Sequence, residues 1–505
     1  MMPIFPRAFD TLIRFAKTLL SSALLAAGLS ACVSSGDIRS TAHIRSPAEL
    51  SSAIALPAQG GQWPAIDWPT SIGGPALQSL VDEALAANPT LQISAARIAA
   101  AQALADATRA AAGPTVGGSF ISTYQRYTEN GIIPPPLAGA LRSDNQLALS
   151  VSYDLDFWGR HAAELRAVLA QGKAVEAEQY SARLMLASAV AHSWMQMHRQ
   201  VQQLDLIARQ QTVRLKLNDL TVRRIAAGLD NQSDNQIAQV QLQNLRTEQA
   251  QWQEALALSR NQLAALLGQG PDRGLSIALP DVAPLAELPL PDALPLALLG
   301  RRADIVAARW YVEALQGDID TARTDFYPNI NLSAFAGLSS LGLSNLISSG
   351  SAIAGVGPAI RLPIFEGGSL RARLKGKVAT YDRAVATYNQ TLTDALHDVA
   401  DQVQSLRGAA QQQEHQRLAV QAASNVLRLS EQRQRVGTVN QLQVLASEAV
   451  LLQQRRTELD ASLRMSDLRI SLIKALGGGF NATASGLVVP VTSSPEILPT
   501  VKAAS

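Results

Sequence analysis

Six histidines, His43, His161, His192, His198, His397 and His415, are the side chains best suited to metal or proton chemistry, and no two stand at a ligand spacing. His192 and His198 are six residues apart, which on a helix places them on different faces. Asp394, Asp398 and Asp401 share one helical stretch and could suggest paired carboxylates. Nothing near them supplies a partner acid or a nucleophile, so solvated charge is the expectation. Gly355-Val356-Gly357 lacks the third glycine of a dinucleotide fingerprint and sits in an alternating stretch. No P-loop or nucleophile elbow occurs. The chain therefore reads as a non-enzyme without metal or cofactor.

One reactive side chain remains. Cys32 is the single cysteine of 505 residues, which excludes an internal disulfide and any cysteine-rich metal site. Ahead of it, Arg7, Arg14 and Lys17 precede a short apolar run from Thr18 to Leu29, the layout of an export signal over 1–31. The run is too short to span a bilayer. It closes Leu29-Ser30-Ala31-Cys32, which resembles a bacterial lipobox, so cleavage before Cys32 and lipid on its thiol are expected. Two or more acyl chains anchor stably. Val33 is not the aspartate that commonly retains such lipoproteins at the inner membrane, and that resemblance implies the outer membrane.

Composition narrows the rest. Hydrophobic residues make up 47% and aromatics 5%, while charged residues reach only 17% against roughly 25% in soluble domains. Forty-three Lys+Arg against 41 Asp+Glu leave a net charge of +2 and no basic domain, so nucleic acid is not an expected partner.

The mature chain matches itself when displaced by about 210 residues. Leu267-Gly268-Gln269-Gly270 falls on Leu476-Gly477-Gly478-Gly479, and Arg224 and Gly228 fall on Arg433 and Gly437. Phe157-Trp158-Gly159 meets Phe365-Glu366-Gly367. Two repeats follow, 76–270 and 296–479, between an extension 32–75, a proline-rich linker 271–295 and a tail 480–505. Each opens with an Ala-rich helix, 76–111 or 296–325. Strand pairs follow at 115–126 with 146–157, and at Asn329 to Leu338 with Ala352 to Ile364. The alternation of Leu147, Leu149, Val151, Tyr153 and Leu155 suits a bilayer-length strand. It suits a soluble hairpin equally well.

Long helices come next. Proline is absent from His161 to Ala226 and from Leu370 to Val436. Apolar residues recur four and three apart at Val190, Trp194, Met197, Val201, Leu204 and at Leu392, Leu396, Val399, Val403, Leu406, a coiled-coil seam. Each helix would run ~100 Å at about 1.5 Å per residue. After turns at Gly228 and Gly437, second helices return to Gly268 and Gly477. Four strands cannot close a membrane barrel, and an open edge is not viable in lipid. Spanning strands would thus require several copies of the chain.

Specific segments resemble the TolC-type outer-membrane efflux proteins, in particular their lipoprotein branch of the NodT/OprM-like kind. They are Leu80 to Leu91, Tyr153-Asp154-Leu155-Asp156-Phe157-Trp158-Gly159-Arg160, Leu299-Gly300-Arg301-Arg302-Ala303-Asp304-Ile305, Pro363 to Gly368 and Arg435-Val436-Gly437-Thr438. The family usually has proline where Ala303 stands. The resemblance implies a mainly α fold with transmembrane β. Each chain would supply one third of a 12-stranded barrel joined to a long α-helical coiled-coil barrel, in a homotrimer. It implies passive conduction of drugs or other small molecules across the outer membrane of a Gram-negative bacterium. A periplasmic adaptor and an inner-membrane transporter, the RND type first among candidates, would be partners. Adaptor contact is expected at the hairpin tips, Arg224, Gly228, Arg433, Gly437 and Thr438. Many relatives narrow the periplasmic mouth with acidic residues. Here Leu442 and Gln443 stand in their place, and Asp230 and Asp234 could supply the charge. A periplasmic coiled-coil adaptor or structural outer-membrane lipoprotein is the rival reading, but it would not need two strand pairs.

Overall fold

A computed structural model of the chain describes residues 35–51, 54–57, 60–278, 289–291 and 294–488. Cys32, the export signal and the tail beyond Leu487-Val488 lie outside them. The elements run α1 (Trp68–Ala87), α2 (Pro89–Ala111), β1 (Thr115–Arg126), β2 (Leu141–Leu155), α3 (Arg160–Ala226), α4 (Gln232–Leu266) and α5 (Pro271–Leu275). They continue α6 (Leu294–Arg301), α7 (Ala303–Thr324), β3 (Asn329–Leu341), β4 (Ala352–Arg361), α8 (Ser369–Arg435) and α9 (Gln441–Ala475).

The chain divides into two compact units. One holds 99–172 and 310–386, and the other 44–98, 173–309 and the residues from 387 onward. The first contains the sheet, four antiparallel strands in the order β1-β2-β3-β4. Its helical core packs Ile319, Phe326, Leu370, Leu374 and Val378, with Ile38 laid against them. The second unit buries Leu77, Trp194, Met197, Leu263 and Ile470 in its main core.

α3 and α8 each have 67 residues, and α4 and α9 each have 35. Ser369 follows Arg160 by 209 residues, and Gln441 follows Gln232 by the same 209. The seam holds at Val190, Trp194 and Met197 and at Leu392, Leu396, Val399 and Val403, all buried. Further along α3 the buried face turns to Gln200, Gln203, Ile207 and Gln210. Their amides are bonded, Gln200 Nε2 donating to Ser259 Oγ at 2.7 Å and Gln203 Nε2 to Asp460 Oδ1 at 3.0 Å, while Gln200 Oε1 is buried without a partner.

Three expectations need correction. The single opening helix 76–111 is two, broken at Asn88, whose backbone is extended (φ −66°, ψ 126°) because Pro89 disfavours a helical residue before it. Asn88 instead caps α2, its Oδ1 accepting from Thr90 N at 2.8 Å. Likewise 296–325 is broken at Arg302, whose guanidinium pairs with Asp304 and Asp398. The second strand starts at Leu141 rather than 146, since its first residues are polar and hide the alternation. The linker begins with helix α5, where Arg273 pairs with Glu83 at 2.8 Å.

Candidate functional site

Residues directly opposite one another in an antiparallel sheet share a face, so the register sorts the sheet's side chains in two. Phe120, Leu147 and Leu338 form one rung, followed by Leu149 with Ala336 and Ala354, then Val116 with Val151, Ala334 and Val356. Tyr153 with Leu332 and Pro358, and Leu155 with Ile330 and Ile360, complete five apolar rungs. From Leu147 to Leu155 they span ~27 Å of strand, about 19–22 Å in height if the strands tilt as in membrane barrels. Val116, Phe120, Leu149, Val356 and Ile360 are all more than half exposed in a single chain. At the loop end the face turns polar, where the buried Asn145 accepts from Ser122 Oγ at 2.7 Å. At the helix end, Trp158 stacks on Tyr327 with centroids 4.7 Å apart, and its indole Nε1 donates to Pro328 O at 2.8 Å. That pair places amphipathic rings at the edge of the apolar band, as interfacial aromatics do.

The opposite face is largely polar, with Ile121, Leu341 and Ile353 its larger aliphatic residues. It carries Thr115 with Ser152 and Ser333, Gln146 with Ser339, Asp154 with Asn331, and Asn329 with Arg361. The outer edges of β1 and β4 have no strand partner among the described residues.

The hairpin tips form a second candidate region. At each, a glycine turns the chain with positive φ, +71° at Gly228 and +77° at Gly437, which a side chain would resist. Leu229 N donates to Arg224 O at 2.8 Å and Gly228 N to Ile225 O at 3.0 Å; Thr438 N and Gly437 N repeat the pattern to Arg433 O and Gln434 O. Both are Schellman caps. Arg224, Gly228, Arg433, Gly437 and Thr438 are thus brought into two equivalent turns.

The turns differ in charge. Arg224 grips Asp230 through two hydrogen bonds, at 2.8 and 2.9 Å. These bonds hold the Asp230 carboxyl below its ordinary range and the Arg224 guanidinium above its own. The position 209 residues after Asp230 is Val439, and the exposed Arg433 guanidinium has no ion-pair partner among the described residues. Asp234 is engaged as well, exchanging hydrogen bonds of 3.2 Å with Asn231 in a capping box that opens α4. In the second tip Asn440 Oδ1 accepts from Gln443 N at 3.1 Å. Leu442 is half-buried and lines, with Asp234, a groove among α3, α4 and α9. The two carboxylates named for the mouth therefore serve turn geometry first.

Away from the tips, sequence reasoning missed a polar lattice that ties α3 to α4 and α9. Arg456 donates to Gln203 Oε1 at 3.1 Å and Gln210 Oε1 at 3.2 Å, and pairs with Glu248. These bonds hold Glu248 below the usual carboxylate range despite partial burial. Alongside, Arg199 pairs with Asp460 at 2.9 Å and lies over Trp252. Arg456 and Glu248 stand 208 residues apart, so only the folded contact could show their pairing.

Comparison with known proteins selects among the readings. The profile of the family described as outer membrane efflux protein matches residues 80–269 and 294–478. The fusaric acid resistance protein FusA of Burkholderia cepacia is 35% identical over 367 residues, 71% of this chain and 69% of the relative. The multidrug resistance outer membrane protein MdtP of Escherichia coli is 29% identical over 446 residues, 86% of this chain and 90% of the relative. Among solved structures, the outer membrane protein VceC of Vibrio cholerae superposes with a TM-score of 0.75 at 34% identity, covering 83% of this chain and all of that one.

Proposed function

Since the chain belongs to the outer membrane efflux protein family, we propose that three copies close one transmembrane conduit for the outer-membrane stage of a tripartite export system. The observation that carries this is the two-faced sheet, both of whose edges lack a strand partner among the described residues. In lipid each unpaired backbone group costs several kcal/mol, so edge must meet edge. Two copies would give eight strands, a barrel filled by its own side chains, whereas three give twelve and leave a lumen. The polar face then lines water and the five apolar rungs meet lipid. Three copies also bring together twelve long helices for the periplasmic passage. The passengers are drugs or other small molecules, moved passively.

Lipid on Cys32 supplies a second anchor in the same membrane. The tips at Arg224, Gly228, Arg433, Gly437 and Thr438 dock a periplasmic adaptor, which links the conduit to an inner-membrane transporter of RND type. Leu442 and Gln443, with Asp230 and Asp234 behind them, border the periplasmic mouth.

Heat-modifiability on gels and sedimentation of the detergent-extracted protein test this reading. A trimer that resists mild heating and fractionates with the outer membrane is the expected result. A monomer held by its lipid alone would contradict it.

A further inference from the structure

We propose that Phe335 forms a transit site for planar apolar passengers on the water-facing side of the sheet, an inference that rests on the barrel reading above. Phe335 is the one aromatic side chain on the polar face among the described strand residues. It lies opposite Ser150 and Gly355, in a rung that ends at Gly117 on the far strand. Ser333 and Gly337 flank it along β3.

The neighbours are what make the ring available. A Cβ built on Gly355 would stand 2.7 Å from Phe335 Cε1 and 2.8 Å from Cζ, so the ring lies down over that glycine. The residue remains 45% exposed, with Ser150 and Gly355 directly opposite it and Ala148 and Ile353 on the diagonals. A half-exposed aromatic ring attracts planar apolar or aromatic molecules by offset stacking or edge-to-face contact. Covering Gly355 alone would be served equally well by leucine, and that difference makes the proposal testable. In the trimer three such rings would face one lumen at one height, offering passengers repeated weak contacts. Weak contact suits a passage whose contents must leave.

The purified protein in a planar bilayer gives the measurement, with ethidium, a planar aromatic cation, added from the barrel side. Wild type should show transient block. Phe335→Leu keeps an apolar cover over Gly355 and should raise the half-blocking concentration about 2- to 10-fold, while Phe335→Tyr should stay near wild type. Equal block of wild type and Phe335→Leu, or no block of either, would overturn the proposal. Phe335→Cys, treated with a charged water-soluble thiol reagent, tests the premise separately. Lowered conductance places position 335 in the lumen whatever ethidium does. A thiol that stays unreactive there in a conducting channel would overturn the face assignment and the proposal with it.

Discussion

Arg456 ties α9 to both α3 and α4, and it is largely buried, with 13% of its side-chain surface exposed. Its partner Glu248 is one-third exposed, which moderates the cost of separating them. Arg456→Met should lower stability by about 1.5–3 kcal/mol, the range for hydrogen bonds to charged groups, read as a drop in unfolding temperature. A double-mutant cycle with Glu248→Gln should show the two losses to be non-additive. Because the Glu248 carboxyl is held below its ordinary range, the pair's contribution is present above the unfolded carboxylate's pKa and disappears as pH falls through the folded value. At the mouth, Leu442→Ala removes a half-buried apolar side chain from the groove it shares with Asp234. It should raise single-channel conductance in planar bilayers, and unchanged conductance would remove Leu442 from the gate. The residue level was the least legible in the sequence. Asp230 and Asp234 read as free acids until folding showed one gripped by Arg224 and the other capping α4.

Between turns, the elements were far more legible. The ends of α3 and α8 could be read from Gly228 and Gly437, since a glycine just beyond a long proline-free seam marks a left-handed cap. Helix interruptions were harder. Asn88 not only caps α2 but donates from Nδ2 to Leu266 O at 2.8 Å, satisfying a carbonyl at the end of α4. That contact joins residues 178 apart and leaves no local signal. Asn88→Ala should cost about 1–3 kcal/mol by losing the cap and leaving a near-buried carbonyl unpaired, measured by thermal unfolding. At the tips, Gly437→Ala forces a side chain into a positive-φ position at a cost of about 1–2 kcal/mol. Since the site is exposed, with open space around it, the expected effect is local. Amide exchange should quicken at Val436 to Asn440, with little change in global melting. The early start of β2 escaped notice for a related reason. Leu141 to Asn145 extend the strand past the apolar band, where lipid no longer imposes alternation.

For the whole molecule, the central claim is that the sheet separates lipid from water. Low charge and few aromatics are consistent with this, because most of the length lies in long helices that want small seam residues. The class of fold was legible from repeated helix–strand–hairpin order, but the two faces became unambiguous only once register put Leu147, Leu149 and Val151 level with their counterparts on β1, β3 and β4. Thiol accessibility along β2 in reconstituted vesicles tests the claim most directly, the background being a single native cysteine. Cysteines placed singly from Gln146 to Asp154 should alternate. Positions Gln146, Ala148, Ser150, Ser152 and Asp154 should react with a water-soluble reagent, whereas Leu147, Leu149, Val151 and Tyr153 should react only with a bilayer-confined one. Uniform reaction with the water-soluble reagent at every one of these positions would contradict the account.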